Sequence, residues 1–256
     1  MLSLLDDLLI LIAVVAGSLL VMALINRLWP AHKRYTADDY LLGWQLGVLA
    51  TMQAVITGFM LYAVWTNFTA AQLNVDLEAS ALTNMYRLAE GLPPEPRAQM
   101  ESLARAYADT VIREDWPQLA HGAMPDAGSH RINQLMWHTL ATVRTTTSSE
   151  AAAQDHALGQ LTTLTQLRRI RFLESASRLP GIFWCVLLIG GALTILSIIM
   201  FGSRSYSVHR FQVFSLSLMI ALSLLAIADL DRPFRGWVRV GDYAFERAAR
   251  GMRGLE

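Results

Sequence analysis

Residues 8–28 read LLILIAVVAGSLLVMALINRL, with no charged side chain from Leu8 until Arg27. A helix over this run spans roughly 31 Å at about 1.5 Å per residue, the thickness of a bilayer's hydrocarbon core. A soluble domain would have to bury such a helix against an equally apolar partner. Three more runs like it follow, at about 40–65, 181–201 and 211–230. The chain of 256 residues is 54% hydrophobic and 16% charged, too poor in polar side chains to sheathe four apolar rods. Lipid tails are the partner that remains, so the sequence predicts an integral membrane protein. An acidic flank (Asp6, Asp7) and the length of the first run argue against a secretory leader, which needs a basic flank and a shorter apolar core.

The ends of the spans carry interfacial aromatics: Tyr40 and Trp44 open the second, and Tyr62 and Trp65 close it. Phe183 and Trp184 enter the third just after Pro180, and Pro233 forbids simple continuation of the fourth. Connectors at 29–39 and 202–210 are short, so the spans pair as two antiparallel hairpins. Residues 1–65 are expected as the first hairpin, 66–178 as a helical extramembrane domain, 179–236 as the second hairpin and 237–256 as a tail. In the middle domain the second span continues through Leu73, Leu77, Leu82, Met85 and Leu88 to Gly91 and the prolines at 93, 94 and 96. Pro96 suits the first turn of the next helix, which carries Met100, Leu103, Tyr107 and Val111. A loop at 122–129, a helix through Ile132 to Val143, and a last helix after Ser148-Ser149 complete it. Leu158, Leu161, Leu164, Leu167 and Ile170 recur on that last helix every three residues. No stretch alternates with a period of two, so the fold class is all-α.

Four spans place both termini and the middle domain on one side. Near the spans that side has eight basic residues (Arg168, Arg169, Arg171, Arg178, Arg232, Arg235, Arg239, Arg247), against five opposite (Arg27, Lys33, Arg34, Arg204, Arg210). The excess favours a cytoplasmic middle domain, although the five lie in short loops, where the rule is strongest. The tail alternates Val238, Val240, Tyr243, Phe245 and Met252 with Arg239, Arg247, Arg250 and Arg253, a pattern suited to anionic headgroups.

Four groups of residues bear on function. On the second span Gly43, Gly47, Ala50, Ala54, Thr57 and Gly58 share an arc of about 100°. Such a face serves either close helix packing or, with several copies around an axis, a pore lining. Gln45 and Gln53 lie off that arc and need a hydrogen-bond partner, from a neighbouring helix or a water-filled space. Asp229, Asp231, Arg232 and Arg235 surround Pro233 at the end of the fourth span. Carboxylates there oppose the helix dipole, so an arginine is expected to compensate them, as a cap or as a charged ring at a pore mouth. In the middle domain Glu78, Tyr86, Arg87, Glu114 and Trp116 read as solvated faces or as a subunit or ligand interface.

Catalysis finds no motif. The six histidines are scattered, without metal-ligand spacing, and no nucleophile elbow or phosphate loop occurs. The single cysteine, Cys185, rules out an intrachain disulfide, and a net charge of zero gives nucleic acid no bulk attraction. No metal or cofactor is expected.

Several segments together resemble a bacterial bestrophin-like family of membrane proteins. They are Tyr62-Ala-Val-Trp65-Thr-Asn67-Phe68, Glu78-Ala-Ser-Ala-Leu82 with Tyr86-Arg87, Tyr107 through Glu114-Asp115-Trp116, Leu179-Pro180, and Leu230-Asp231-Arg232-Pro233-Phe234-Arg235-Gly236. The resemblance implies kinship with bestrophins, pentameric anion channels with four spans per subunit and a pore lined by the second. It thus implies a homo-oligomer in the bacterial inner membrane that passes small inorganic anions, with the bilayer as its other partner. The second span here is rich in glycine and alanine where bestrophin constrictions are rings of bulky apolar residues, and Asp229 and Asp231 alone make no calcium clasp. The other reading of the residues is a non-conducting scaffold or sensor whose helical domain binds a partner or ligand.

Overall fold

The computed structural model describes residues 4–29, 39–123, 128–201 and 205–254. Lys33, Arg34 and Arg204, and the loop at 124–127, lie outside the described residues. Most of the described residues are helical. In chain order the helices are α1 (Leu4–Leu28), α2 (Asp39–Leu88), α3 (Pro94–Thr110), α4 (Trp116–His121), α5 (Gly128–Thr142), α6 (Ser148–Ala176), α7 (Gly181–Phe201), α8 (Tyr206–Leu230) and α9 (Tyr243–Gly251). Four of them are long and apolar enough to cross a membrane, and no strand occurs among the described residues. The protein is therefore an all-α membrane protein with four candidate spans and a helical domain between spans two and three; among the described residues α1 packs on α8 and α7 rather than on α2.

The chain divides into two compact units, one of Met1–Thr66 and Arg178–Asp231, the other of Asn67–Ser177 and Arg232–Glu256. In the membrane unit the spans meet in two apolar clusters. Met22, Ile199 and Val213 tie α1, α7 and α8 together, and Val64, Leu187 and Ile227 tie α2, α7 and α8. Helix α8 starts at Tyr206, five residues before the apolar run, because Ser205 is extended and His209 is accommodated. The His209 ring is buried, with Nε2 3.0 Å from the Ile198 carbonyl oxygen. Other polar side chains of the spans turn back on their own helices: Ser18 donates to the Val14 carbonyl, Thr194 to that of Gly190 and Ser217 to that of Phe214. That satisfies them without water.

Helix α2 runs 50 residues without interruption, because no proline or paired glycine occurs between Asp39 and Leu88. It tightens into a 3-10 turn over Ala89–Gly91 and stops at Leu92-Pro93. Pro93 precedes α3 with extended ψ, Pro94 is its first residue, and Pro96 falls two positions into the first turn. At its far end α3 widens into a π-helical turn, Val111–Asp115, before α4. Nothing in the sequence periodicity announced that turn. Helix α4 ends at Gly122, whose φ is +79°. The Arg235 guanidinium lies where a Cβ on Gly122 would be, so the backbone favours glycine and any side chain there would also displace the arginine head. Helix α6 begins on a capping box: the Thr147 hydroxyl accepts from the Glu150 N–H, and the Glu150 carboxylate accepts from the backbone of Thr146 and Thr147.

The tail belongs to the helical unit. Helix α9 is amphipathic as expected, but its apolar face is turned inward: Ala244, Phe245, Ala248, Ala249 and Met252 are buried. Phe245 stacks at a tilt beside Tyr107, 6.4 Å between ring centres. The face assigned to headgroups thus covers protein, and the apolar groups left exposed here are Trp237, Val238 and Tyr243.

Candidate functional site

The small-residue face of α2 is open within the chain. Gly47, Ala54 and Gly58 are exposed, and Gly43, Ala50 and Thr57 are partly covered. A Cβ added at Gly47 or Gly58 would meet nothing within 4 Å. Of the four spans, the second is the least covered by the rest of the chain. At Gly47 and Gly58 the close packing that such glycines permit is not made by any described helix of the chain.

The two glutamines part company. Gln45 is exposed, whereas Gln53 is buried against α7. Its amide donates to the Leu187 carbonyl at 3.2 Å and to the Thr57 hydroxyl at 3.3 Å. Its Oε1 occupies the space over Gly190, 2.2 Å from where a Cβ would stand. Gly190 therefore makes room for a polar side chain that crosses from α2 to α7, a role the sequence reading of α7 missed because Gly190-Gly191 sits in a mostly apolar run.

At the end of α8, Asp231 accepts the Leu179 N–H at 2.8 Å. Leu179 lies just ahead of α7, so the carboxylate caps the N-terminal end of another helix, where negative charge is favourable. This offsets its unfavourable place after α8. Asp229 and Arg232 are partly buried, and Arg235 lies over Gly122. Beyond them the Val240 N–H closes onto the Pro233 carbonyl at 2.7 Å, and Phe234 meets Trp116 edge-on at 5.9 Å. The Trp116 indole N–H points to the Val240 carbonyl, 3.4 Å away.

The centre of the helical unit is ionic. Glu78, read from sequence as part of a surface, is wholly buried with Arg171 and Asp115. Arg171 Nε donates to Glu78 Oε2 at 2.8 Å, and Nη2 to Glu78 Oε1 at 3.2 Å and to Asp115 Oδ2 at 3.0 Å. The Tyr107 hydroxyl donates to Glu78 Oε1 at 2.7 Å. Rings of Phe172, Trp116 and Phe245 stand 4.9, 5.4 and 5.9 Å from the guanidinium carbon, within cation–π range. Burial opposes the charge on Arg171, but Glu78, Tyr107 and Asp115 outweigh it and raise the guanidinium pKa. Burial, with Glu78 beside it, pushes the Tyr107 phenol well above its ordinary value, so it stays a donor. The π-helical turn has a local consequence: it brings Asp115 into this core while Glu114 stays exposed, beside Gly128 at the start of α5. Such turns often accompany function.

Tyr86 is half-buried and Arg87 exposed. The Tyr86 hydroxyl donates to the Met252 carbonyl at 3.1 Å and accepts from Arg105 Nη1 at 2.9 Å. Among the described residues no three His, Cys, Asp or Glu side chains gather as a metal site.

No curated protein matches the chain in sequence. In fold it is similar to a bacterial bestrophin homologue from Klebsiella pneumoniae. A single-site variant of that protein superposes with a TM-score of 0.75 over 97% of this chain and 99% of that one, at 12% identity. A zinc-phased structure of the homologue gives 0.69 over 97% and 99%, at 16% identity. Another crystal structure, described as that of a membrane protein, gives 0.65 over 98% and 99%, at 17% identity. Residues 12–245 match the Bestrophin-like domain, and the chain, four spans around a helical domain, belongs to the bestrophin-like family.

Proposed function

We propose that the chain is one subunit of a homo-oligomeric ion channel, pentameric and anion-conducting as its resemblance to bestrophins implies, rather than an enzyme. The membrane half of α2 lines the path, the helical unit lies on the cytoplasmic side, and the membrane is the bacterial inner membrane. The observation that carries this reading is the open face of α2: Gly47 and Gly58 have no side-chain neighbour, on the least covered span of a bestrophin-like fold. In lipid, small residues on an exposed face gain little from contact with acyl chains. They gain from another backbone at close range or from leaving room on a wet axis. Asp229, Asp231, Arg232 and Arg235, at the end of the fourth span, then serve as a charged ring near the mouth.

The test is chloride flux from proteoliposomes, beside particle images of the purified protein in lipid. Flux above empty liposomes and a closed ring of subunits are expected, with Gly58→Trp lowering flux at least tenfold while the ring persists. A monomer with no flux across a range of pH and divalent ions would sink the proposal.

A further inference from the structure

A groove of about 650 Å³ runs between the end of α2 and helix α9, wholly inside the helical unit. Small-molecule sites commonly measure roughly 300–1,000 Å³. The groove exists because Ala244, Ala248 and Gly251 give α9 a shallow face there, opposite Ser80, Asn84 and Arg87 at helical spacing on α2. The Tyr86 side chain in its lining is held in place by its hydroxyl, between Arg105 and the Met252 carbonyl.

The arginines of this unit differ in their partners. Arg97 pairs with Glu101, Arg105 reaches the same carboxylate, Arg171 pairs with Glu78 and Asp115, and Arg253 with Asp109. Arg87 and Arg247, which line the groove, have no ion pair among the described residues; Arg247 only overlies the Tyr243 ring at 5.9 Å. The Asn84 amide likewise has no partner among them. Ser80 and Thr83 give their hydroxyl hydrogens to the Asp76 and Ala79 carbonyls, which leaves their oxygens to accept. Among the described residues Glu90 is the one carboxylate in the lining, against Arg87 and Arg247, so this described lining carries a net positive charge.

We infer that this groove binds a small phosphoryl-bearing molecule that also carries hydroxyl donors, the phosphate between Arg87 and Arg247 and the hydroxyls on Ser80, Thr83 and Asn84. Two guanidinium forks suit phosphate oxygens, while hydroxyls that already donate to their own helix are left to accept from hydroxyl groups of a ligand. The inference does not depend on conduction. The plainer role for Arg87, in the last turn of α2, is to offset the helix dipole, and the experiment separates the two.

Ribose 5-phosphate is titrated calorimetrically into the full-length protein in nanodiscs of phosphatidylcholine. Saturable binding is expected, weakened about tenfold by Arg87→Ala and by Arg247→Ala, tightened by Glu90→Gln and unchanged by Arg253→Ala. Inorganic phosphate should bind more weakly than the sugar phosphate. Repeating the titration with phosphatidylglycerol in the disc identifies the source of the phosphate: unchanged affinity assigns the groove to a soluble ligand, and competition assigns it to a lipid headgroup. Ligand-free melting temperatures of the two arginine variants should match the parent. Absence of binding, or binding indifferent to both substitutions while both lower the melting temperature, overturns the inference and makes the arginines helix-end partners.

Discussion

The two units solve opposite problems. The helical unit folds in water and closes on itself: Arg171 from α6 gathers Glu78 from α2, Tyr107 on α3 and Asp115 from the π-helical turn through Glu78 and direct bonds, and α9 lids the cluster with Phe245. The membrane unit joins its helices through two apolar clusters and through polar crossings such as Gln53 from α2 and His209 from α8, both onto α7, and it leaves one face of α2 uncovered. Water penalises exposed apolar surface, so a soluble unit covers its core completely. Lipid exerts no such pressure, and spans meet only where shape or a hydrogen bond holds them. The open face of α2 is therefore informative where an exposed leucine in the same span is not, because glycine offers lipid nothing.

The largest effect should come from opening the closed unit. Arg171→Met leaves Glu78 and Asp115 buried without a cation, a loss of about 3–5 kcal/mol. The helical unit should lose its protease resistance, and the melting temperature of the full chain should fall steeply. Changing all three together, Glu78→Gln, Arg171→Met and Asp115→Asn, should recover most of that loss, since the penalty lies in stranded charge more than in the pair itself. A single variant that melts like the parent would show the network to be incidental.

Much of this contrast was legible beforehand. Apolar runs of bilayer length gave the four spans, and period-3.6 patterning gave the long second helix through Leu88. The core network was legible only in part. Arg171 continues the stripe Leu161-Leu164-Leu167 on α6, and Glu78 lies between Val75 and Leu82 on the buried stripe of α2. Opposite charges at apolar positions of two helices are a pairing signal, but Arg171 lies near the third span and was counted with the interfacial arginines. Asp115 was hidden by the π-helical turn, which shifts the register by one residue. In the tail, Phe245 and Met252 face protein while Val238 and Tyr243 are exposed, because periodicity says that a face is apolar and not whether lipid or protein covers it.

One substitution made at two places in the membrane unit sharpens the contrast between covered and open faces. A Cβ at Gly190 would stand 2.2 Å from Gln53 Oε1, whereas one at Gly58 would meet nothing within 4 Å. Gly190→Ala should cost about 1 kcal/mol as the flexible amide is pushed aside. Gly58→Ala should leave subunit stability within about 0.5 kcal/mol or raise it slightly through helix propensity. Adding Gln53→Ala to Gly190→Ala should give less than the sum of the two losses, because both remove the same contact. Strict additivity in that cycle, or equal losses at the two glycines, would mean that α2 and α7 are not joined through Gln53.

The smallest effect lies in the helical unit, where closure is incomplete at one carboxylate. Glu174 is about half-buried; burial raises its pKa above the ordinary 4.5, against the lowering effect of Asn74. Asn74 donates to Oε1 at 2.7 Å, while Oε2 is shielded from solvent with no hydrogen-bond partner among the described residues. A carboxyl whose folded pKa lies above its unfolded value binds protons more readily when folded. Its contribution therefore favours the fold at low pH and is lost as pH rises from about 4.5 through the folded pKa. Glu174→Gln keeps an oxygen for Asn74 and removes the charge. It should stabilise the protein at pH 7 by less than ~1 kcal/mol, since solvent screens a half-exposed group, and flatten the pH dependence of melting between pH 4 and 7 relative to the parent. Parallel melting curves for the two proteins over that range would place the carboxylate in water and show the unit to be looser around α6 than its centre.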